Sequence, residues 1–457
     1  MPSNLFGPLF TAPDVAAQTD DAAVLRALLD VEAALARACA SVGVVPGEAA
    51  EAIVAACAGE FDAEALGDAA QSAGNPVVPL VRAIEGVLPD HAKPWVHHGA
   101  TSQDVLDTAL MLVARRALEP MLTALRTTSA SLATLAETHR QTLVVGRTLG
   151  QQALPMTFGL KAAGWLVALD TATRRLAAVE LAVQFGGAAG TLAALGDRGV
   201  AVSTAFAIEL GLAEPVMPWH TDRQRLLDLG AALAGVAAAL GKLALDVTLL
   251  AQSEVAEVAE GGQGGGSSAM PHKRNPANSV LIRSASVRAP GLLATLYSAA
   301  AQQEHERATG GWHAEWETLR DLLDVVGGAA GRAAHTIPAL RVDTGRMRAN
   351  LDATGGLLLS ENVSGALAGE LGRGRAHDLV KAAVSTAAAT GKSLRDVLLQ
   401  DDEVRERLGV EKLDAVLDPA GYLGSTDELV TRALAFHEGT LAFHESASAF
   451  NEKGEMR

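Results

Sequence analysis

Little in this chain is aromatic: Phe, Trp and Tyr together make up 4% of its 457 residues, although 49% are hydrophobic. The apolar content is carried by Ala, Leu and Val, which favours closely packed helices over a β-sandwich, so the expected class is all-α. Cysteine occurs twice, and Cys39 and Cys57 lie in Ala-rich helical pattern. They read as core thiols in a reducing cytoplasm rather than as a disulfide or metal pair. Positive charge is also scarce, with 37 basic against 53 acidic residues and a formal charge of -16. That balance argues against nucleic acid or an anionic membrane as partner, and an anionic substrate would need a locally basic pocket. The N-terminal MPSNLFGPLFTAPD lacks a basic region and a continuous apolar stretch, and the longest uncharged run, 181–196, is short and Gly-rich. No segment reads as a targeting signal or a membrane span. There is no Gly-Lys-Ser/Thr for a phosphate loop, the glycines miss the dinucleotide spacing, and His97 and His98 have no partner at metal spacing. No cofactor and no metal are expected.

What the chain does have is helical periodicity and one dense loop. Leu229, Leu233, Val236, Leu240, Leu243, Val247 and Leu250 follow alternating steps of four and three, a heptad seam. Continued, the stripe reaches Glu254 and Glu257, and Gly261 is a natural helix stop. One helix over about 222–259 is expected, roughly 57 Å long at 1.5 Å per residue. Ala and Gly on its other faces suit close contact, as in a bundle formed between subunits. Glu254 and Glu257 read first as a solvated or salt-bridged helix end. Gly/Pro clusters divide the chain into an N-terminal helical domain at 1–105, a central bundle at 106–355 and a C-terminal helical domain at 356–457.

Residues 261–276 read GGQGGGSSAMPHKRNP. The glycines allow restricted backbone conformations and movement, which suits a lid that closes over a substrate. Ser267 or Ser268 can act as a base only where backbone N–H groups and a cation stabilise the alkoxide. Lys273 is the obvious cation, and Asn275 offers a donor and an acceptor for a carboxylate whose charge grows. A plain Gly/Ser linker would have no use for the MPHKRNP that follows. In WVHHGATSQDVLDT (95–108), Thr101 and Asp104 form a capping box that opens an apolar helix, and the same N-terminus offers N–H groups and the Thr101 and Ser102 hydroxyls to a carboxylate. His97 and His98 are open between substrate contact and a structural hydrogen bond.

GSSAMPHKRNP resembles the signature of the fumarase/aspartase superfamily. The resemblance implies a mostly helical subunit, a homotetramer built on long central helices, and active sites each assembled from three subunits. It implies removal of a proton alpha to a carboxylate, an aci-carboxylate dianion and departure of a group from the beta carbon. Ser267 is then the base, and Lys273 and Asn275 stabilise the dianion. The superfamily's TSxD segment, which binds a substrate carboxylate, is matched at Thr101 and Ser102. GRTLGQQALPMTFG (146–159) resembles a second superfamily segment in which lyases such as adenylosuccinate lyase carry a His after the Thr. Here that position is Leu149, which cannot transfer a proton, while Thr148 and Gln151 keep matching positions for substrate binding. Asn75-Pro76 stands where adenylosuccinate lyases have a His-Asp pair.

Over about residues 20–445 the chain is similar to the 3-carboxy-cis,cis-muconate cycloisomerase family. That resemblance implies a small tricarboxylate substrate and a role in protocatechuate (β-ketoadipate) catabolism. Some members carry Trp where this chain has Leu149, so the missing acid is shared. A carboxylate leaving group is a weak base and can depart without protonation. Arg307 in QQEHERATGGWH is the next carboxylate-binding candidate, with Arg274 and Arg283 behind it. Its plain alternative is a surface charge paired with Glu304 or Glu306. His305 and His313 read equally as site-orienting or packing groups. The alternative function is a superfamily lyase of the adenylosuccinate or argininosuccinate type that releases fumarate.

Overall fold

The computed structural model describes residues 5–261, 265–266 and 269–455, with side chains of the last helix described as far as 443. The chain is all-α apart from two small antiparallel ladders among the described residues. The elements that position the site are α1 (Asp21–Ser41), α2 (Ser102–Thr138), α3 (Phe158–Ala177), α4 (Gln224–Leu250), α5 (Ala277–Ala300), α6 (Gly311–Thr336), α7 (Thr344–Asp352) and α8 (Thr426–Glu455). The strands are β1 (Leu143–Thr148) with β2 (Gln151–Thr157), a hairpin, and β3 (Val258–Ala259) with β4 (Arg341–Val342).

The heptad seam does what its spacing predicts. Leu229, Leu233, Val236, Leu240, Leu243, Val247 and Leu250 are all buried, and α4 packs between α5, α6 and α3. Ala and Gly let the neighbours come close: a Cβ on Gly241 would lie 2.4 Å from the Ser286 Cβ of α5. By length and composition α4 could also cross a bilayer, but half of its most apolar window is buried inside the chain. Leu245 and Leu249 on its other side are exposed.

The expected end of this helix at about 259 is corrected to Leu250. Ala251 caps it, Ala256 takes a left-handed conformation (φ 52), and the Glu257 N–H returns to the Leu250 carbonyl at 2.9 Å. The turn is driven by Glu257, whose fully buried carboxylate accepts Arg147 Nη1 and Nη2 at 2.9 and 2.7 Å and Asn350 Nδ2 at 2.8 Å. A continued helix would carry this charge along α4 and away from both partners. The salt-bridged reading of Glu257 therefore holds, in a turn rather than at a helix end, while Glu254 is exposed.

Contacts at the helix ends fix the directions of the bundle. At one end Arg223, just before α4, meets Asp107 of α2 and Glu315 of α6, and Thr108 of α2 meets the 184 segment that follows α3. At the other end Gly159 of α3 donates to His139 after α2, Arg332 of α6 donates to Asn278 of α5, and Arg147 of β1 meets Glu257 beyond α4. Thus α2, α4 and α6 run one way and α3 and α5 the other. One hydrophobic core extends from Val15 to Ala433, and a second joins residues between Val363 and Leu413. The last helix returns to the first core, where His437 Nδ1 meets the Asp170 carboxylate of α3 at 2.8 Å. Cys39 and Cys57 are buried free thiols, both pushed up to about 12 by burial and then by the nearby Glu32 carboxylate.

Leu240 is 1% exposed at the centre of the seam. Leu240→Ala is expected to destabilise the fold by about 2–5 kcal/mol, measured by denaturant unfolding at fixed protein concentration. A loss under about 1 kcal/mol would contradict this packing.

Candidate functional site

At the mouth of α2, Thr101 is the extended N-cap and Ser102 the first helical residue, both half-buried. The Thr101 N–H donates to Asp104 Oδ2 at 3.0 Å, the carboxylate half of the predicted capping box. Asp104 is 1% exposed and also accepts the N–H groups of Gly186 and Gly187 at 3.0 and 2.9 Å, while His220 Nε2 lies 2.6 Å from Oδ1. This carboxylate therefore draws the 186–187 turn and the 220 segment onto the helix N-terminus. Gly186 is required there, since a Cβ would lie 2.7 Å from Pro218 and 2.8 Å from His220.

One turn further, Asp107 accepts Arg223 Nη1 at 2.7 Å and Trp312 Nε1 at 2.9 Å. Arg223 also donates to Glu315, through Nε at 3.1 Å and Nη2 at 2.5 Å, and lies over the Trp219 ring. Side chains of this ion triad are 1% exposed.

Arg307 joins the same end. It donates to Gln103 Oε1 at 3.1 Å and to the carbonyls of Gly187 and Ala188 at 3.3 and 2.8 Å. Its expected plain alternative, pairing with Glu304 or Glu306, does not form: Glu304 instead accepts the Thr309 N–H at 2.9 Å. Among the described residues Arg307 has no carboxylate partner, so a half-buried guanidinium charge stands beside the mouth of α2. His97 lies on the loop before that mouth, half-buried, with Nδ1 2.7 Å from Glu32 Oε1. His98 packs edge-on to Trp95, and His313 lies edge-on to Trp312 and tilted against Trp316, with Nε2 3.0 Å from the Gly74 carbonyl. His305 is exposed with φ 46.

The other sequence candidates lie at the opposite end of the bundle. Thr148 and Gln151 face each other across the hairpin tip, both exposed, and Leu149 at the apex is 102% exposed. Lys273 is exposed, and its N–H donates to the Met270 carbonyl. Asn275 is half-buried, and its N–H donates to the Gly265 carbonyl at 2.8 Å. Ser267 and Ser268 lie outside the described residues. Glu260 ties the loop's base to α5, accepting the N–H groups of Asn278 and Ser279 at 3.1 and 2.7 Å and the Ser279 hydroxyl at 2.6 Å. Arg274 is exposed in a bridge with Gly266, and Arg283 is exposed on α5.

One chain thus brings His97, Thr101, Ser102 and Arg307 to one end, and leaves Thr148 and Gln151 on the hairpin and Lys273 and Asn275 on the loop at the other. With 27 residues at 1.5 Å each, α4 sets the two groups on the order of 40 Å apart. No hydrogen bond or ion pair among the described residues links them. Among the described residues no group of three or more His, Cys, Asp or Glu could hold a metal ion.

Asp107, His220, Arg223, Glu315 and Glu32 carry no motif that marks them in the sequence. The only local signal was 218–224, PWHTDRQ, a polar and aromatic run without Ala, Leu or Gly in a chain dominated by them. Glu32 sits in an ordinary Ala/Leu helical pattern that gives no hint of a buried carboxylate.

Known proteins frame this arrangement. A lyase family model matches residues 10–291, and a model of the adenylosuccinate lyase C-terminus matches residues 356–433. The chain is 47% identical over 447 residues to a 3-carboxy-cis,cis-muconate cycloisomerase of Pseudomonas aeruginosa, covering 96% of this chain and 97% of that one. It is 46% identical over 448 residues to a nitrosuccinate lyase of Streptomyces davaonensis, covering 94% of each. The solved structure of a 3-carboxy-cis,cis-muconate lactonizing enzyme from Pseudomonas putida superposes with a TM-score of 0.91 at 45% identity, covering 96% of this chain and all of that one.

The Asp107–Arg223–Glu315 group has a definite pH signature. Burial opposes the charge on Arg223, but Asp107 and Glu315 outweigh it and hold the guanidinium above its ordinary range. With two carboxylates sharing one cation, Glu315 is pushed up to about 7, chiefly by burial and further by Asp107, against the pull of Arg223. The folded chain thus binds a proton that the unfolded chain releases near 4.5. The stability this proton contributes is whole below pH about 4.5 and is lost as pH rises through about 7. Glu315→Gln is expected to remove that fall from a stability profile measured by denaturant unfolding between pH 4.5 and 8. An unchanged slope in the variant would refute the assignment.

Proposed function

The chain belongs to the lyase family, and from that membership we propose that it interconverts 3-carboxy-cis,cis-muconate and 4-carboxymuconolactone, the activity class carried in the names of its Pseudomonas relatives. The observation that favours this reaction over amine-releasing chemistry is Leu149. Between two polar candidates, Thr148 and Gln151, the fully exposed hairpin apex carries a side chain with no proton to give. An amine leaving group needs an acid there; a carboxylate leaves as a weak base without one.

In the lactonising direction one substrate carboxylate oxygen forms a C–O bond to an alkene carbon, and Ser267 gives its proton to the neighbouring carbon. In reverse, the Ser267 alkoxide removes that proton, the C–O bond breaks and the carboxylate departs with the electron pair. Lys273 and Asn275 offset the growing charge of the aci-carboxylate. Thr101, Ser102 and the N-terminus of α2 hold one substrate carboxylate, with Arg307 and His97 as nearby positive donors and Thr148 and Gln151 as further polar contacts. The role of Ser267 is supported by its place in GSSAMPHKRNP. The enzyme works in the cytoplasm, in protocatechuate breakdown, on a small tricarboxylate and with no metal or cofactor.

Two groups of site residues on the order of 40 Å apart cannot serve one small substrate within a single chain. The complete site is then shared between copies, in the homotetramer with three-subunit sites that the superfamily resemblance implies. The exposed Leu245 and Leu249 of α4 supply apolar surface for contact between copies.

A second reading is favoured by the similarity to nitrosuccinate lyase. Nitrite, like a carboxylate, is a weak base, so Leu149 does not separate the two reactions. Side-by-side assay of 3-carboxy-cis,cis-muconate, by loss of its ultraviolet absorbance, and of nitrosuccinate, by nitrite release, decides between them; turnover of the second alone would overturn the first reading.

Ser267→Ala is expected to lower turnover by at least about a hundredfold while the oligomer and substrate binding persist. Near-normal turnover in that variant would remove Ser267 from the reaction. Lys273→Met and Arg307→Met are each expected to be nearly inactive, yet to recover part of the activity when co-assembled, because some sites then receive both intact residues. Mixed oligomers verified by native mass spectrometry but lacking any recovery would refute the shared site.

A further inference from the structure

Glu32 lies in the middle of α1 with its side chain fully buried. One carboxylate oxygen, Oε1, faces His97 Nδ1 at 2.7 Å; the other, Oε2, is buried with no hydrogen-bond partner among the described residues. A charge in such a place is costly unless a counter-charge sits against it, and the ion pairs among the described residues offer Glu32 only His97. His97 is itself held under constraint. Its φ of 58 is left-handed, unusual for a residue with a Cβ, and the Ala100 N–H closes a turn onto its carbonyl. Gly99, also left-handed, packs this turn so closely on Leu195 that a Cβ would lie 2.8 Å from that side chain. The imidazole is thus fixed from two sides, by a buried carboxylate at Nδ1 and by a strained backbone. Its side chain keeps 18% of its surface exposed, four residues before the N-cap Thr101 and the Ser102 that follows it.

We propose that Glu32 is a positioning residue: its buried carboxylate orients the His97 imidazole and keeps it cationic, so that Nε2–H offers a charged hydrogen bond to a substrate carboxylate at the mouth of α2. This rests on the reading above that the α2 mouth receives a substrate carboxylate, and it adds what a net charge of -16 makes scarce there, a second cation beside Arg307. Acidic groups act on His97 from three elements, Glu32 on α1, Asp104 on α2 and Glu85 on the helix Val77–Val87. Burial lowers the tendency of the ring to hold its second proton, but these carboxylates outweigh it and hold His97 above its ordinary value. Removing the Glu32 charge leaves burial less opposed, and the imidazolium is then lost as pH rises through neutrality.

Two measurements test this, one of them independent of the reaction. In the ligand-free protein, the His97 C2 proton assigned by NMR is expected to titrate above pH 6.5, and to titrate at least one unit lower in Glu32→Gln, which keeps an acceptor for Nδ1–H but removes the charge. Binding of tricarballylate, an unreactive tricarboxylate, measured by calorimetry at pH 6 and 8, is expected to weaken roughly tenfold at pH 8 in Glu32→Gln and little at pH 6. His97→Gln should weaken it at both pH values, and the double variant no more than His97→Gln alone. A wild-type titration at or below 6.5 overturns the proposal, as does equal tricarballylate binding in wild type and Glu32→Gln at pH 8. Wild-type protein that passes both tests but does not turn over 3-carboxy-cis,cis-muconate would instead overturn the assigned reaction and leave the Glu32–His97 pair standing.

Discussion

The arrangement at the α2 mouth depends on one guanidinium. Arg223 is the residue that precedes α4, and its two carboxylate partners belong to α2 and α6, so three helices that are distant in sequence are tied at one level by a single side chain. Taking these charges out of water is expensive, and such a triad adds little net stability over a packed apolar core; what it fixes is register. With α2, α4 and α6 locked at this level, the Trp219–His220 segment lies against α2 and the Arg307 segment against Gln103. The level at which these segments meet α2 follows from that lock, while Asp104 and Glu32 set the turns within it.

The far end of the bundle is organised differently. There the charges are carboxylates that hold loops: Glu257 fastens the hairpin to the turn after α4, and Glu260 fastens the signature loop to the start of α5. The glycines at the loop's edges answer to close approach as well as to mobility. A Cβ on Gly261 would lie 2.2 Å from the Ala339 carbonyl oxygen, and one on Gly265, with φ 68, would lie 2.1 Å from the Asn275 carbonyl oxygen. The stems that carry Lys273 and Asn275 are therefore pinned.

Much of this was legible in the sequence because it rests on local rules. The heptad seam, the capping box at Thr101 and the core thiols each follow from spacing or composition within one segment. The end of α4 was not legible, since no Gly or Pro marks residue 251; the helix gives way to a long-range requirement, the pairing of Glu257 with Arg147 and Asn350. The buried polar groups failed to show for the same reason. Asp107, Arg223 and Glu315 are each unremarkable along the chain and acquire meaning only from partners 92 or 116 residues away. The signature loop announced a chemistry, but the distance between its residues and those of the α2 mouth is a property of helix direction, which appears only once the end contacts are known.

The hairpin apex carries a further implication. Leu149 adopts a left-handed backbone (φ 52) that glycine or asparagine would take with less strain, and it turns its whole side chain to water. The turn itself asks for that backbone: Leu149 and Gly150 (φ 78) are the two residues between the paired Thr148 and Gln151, and a two-residue hairpin turn with positive φ at both matches the twist of its strands. The ladder below holds the turn whatever the apex carries, so position 149 is one whose side chain is open to selection for chemistry rather than for packing.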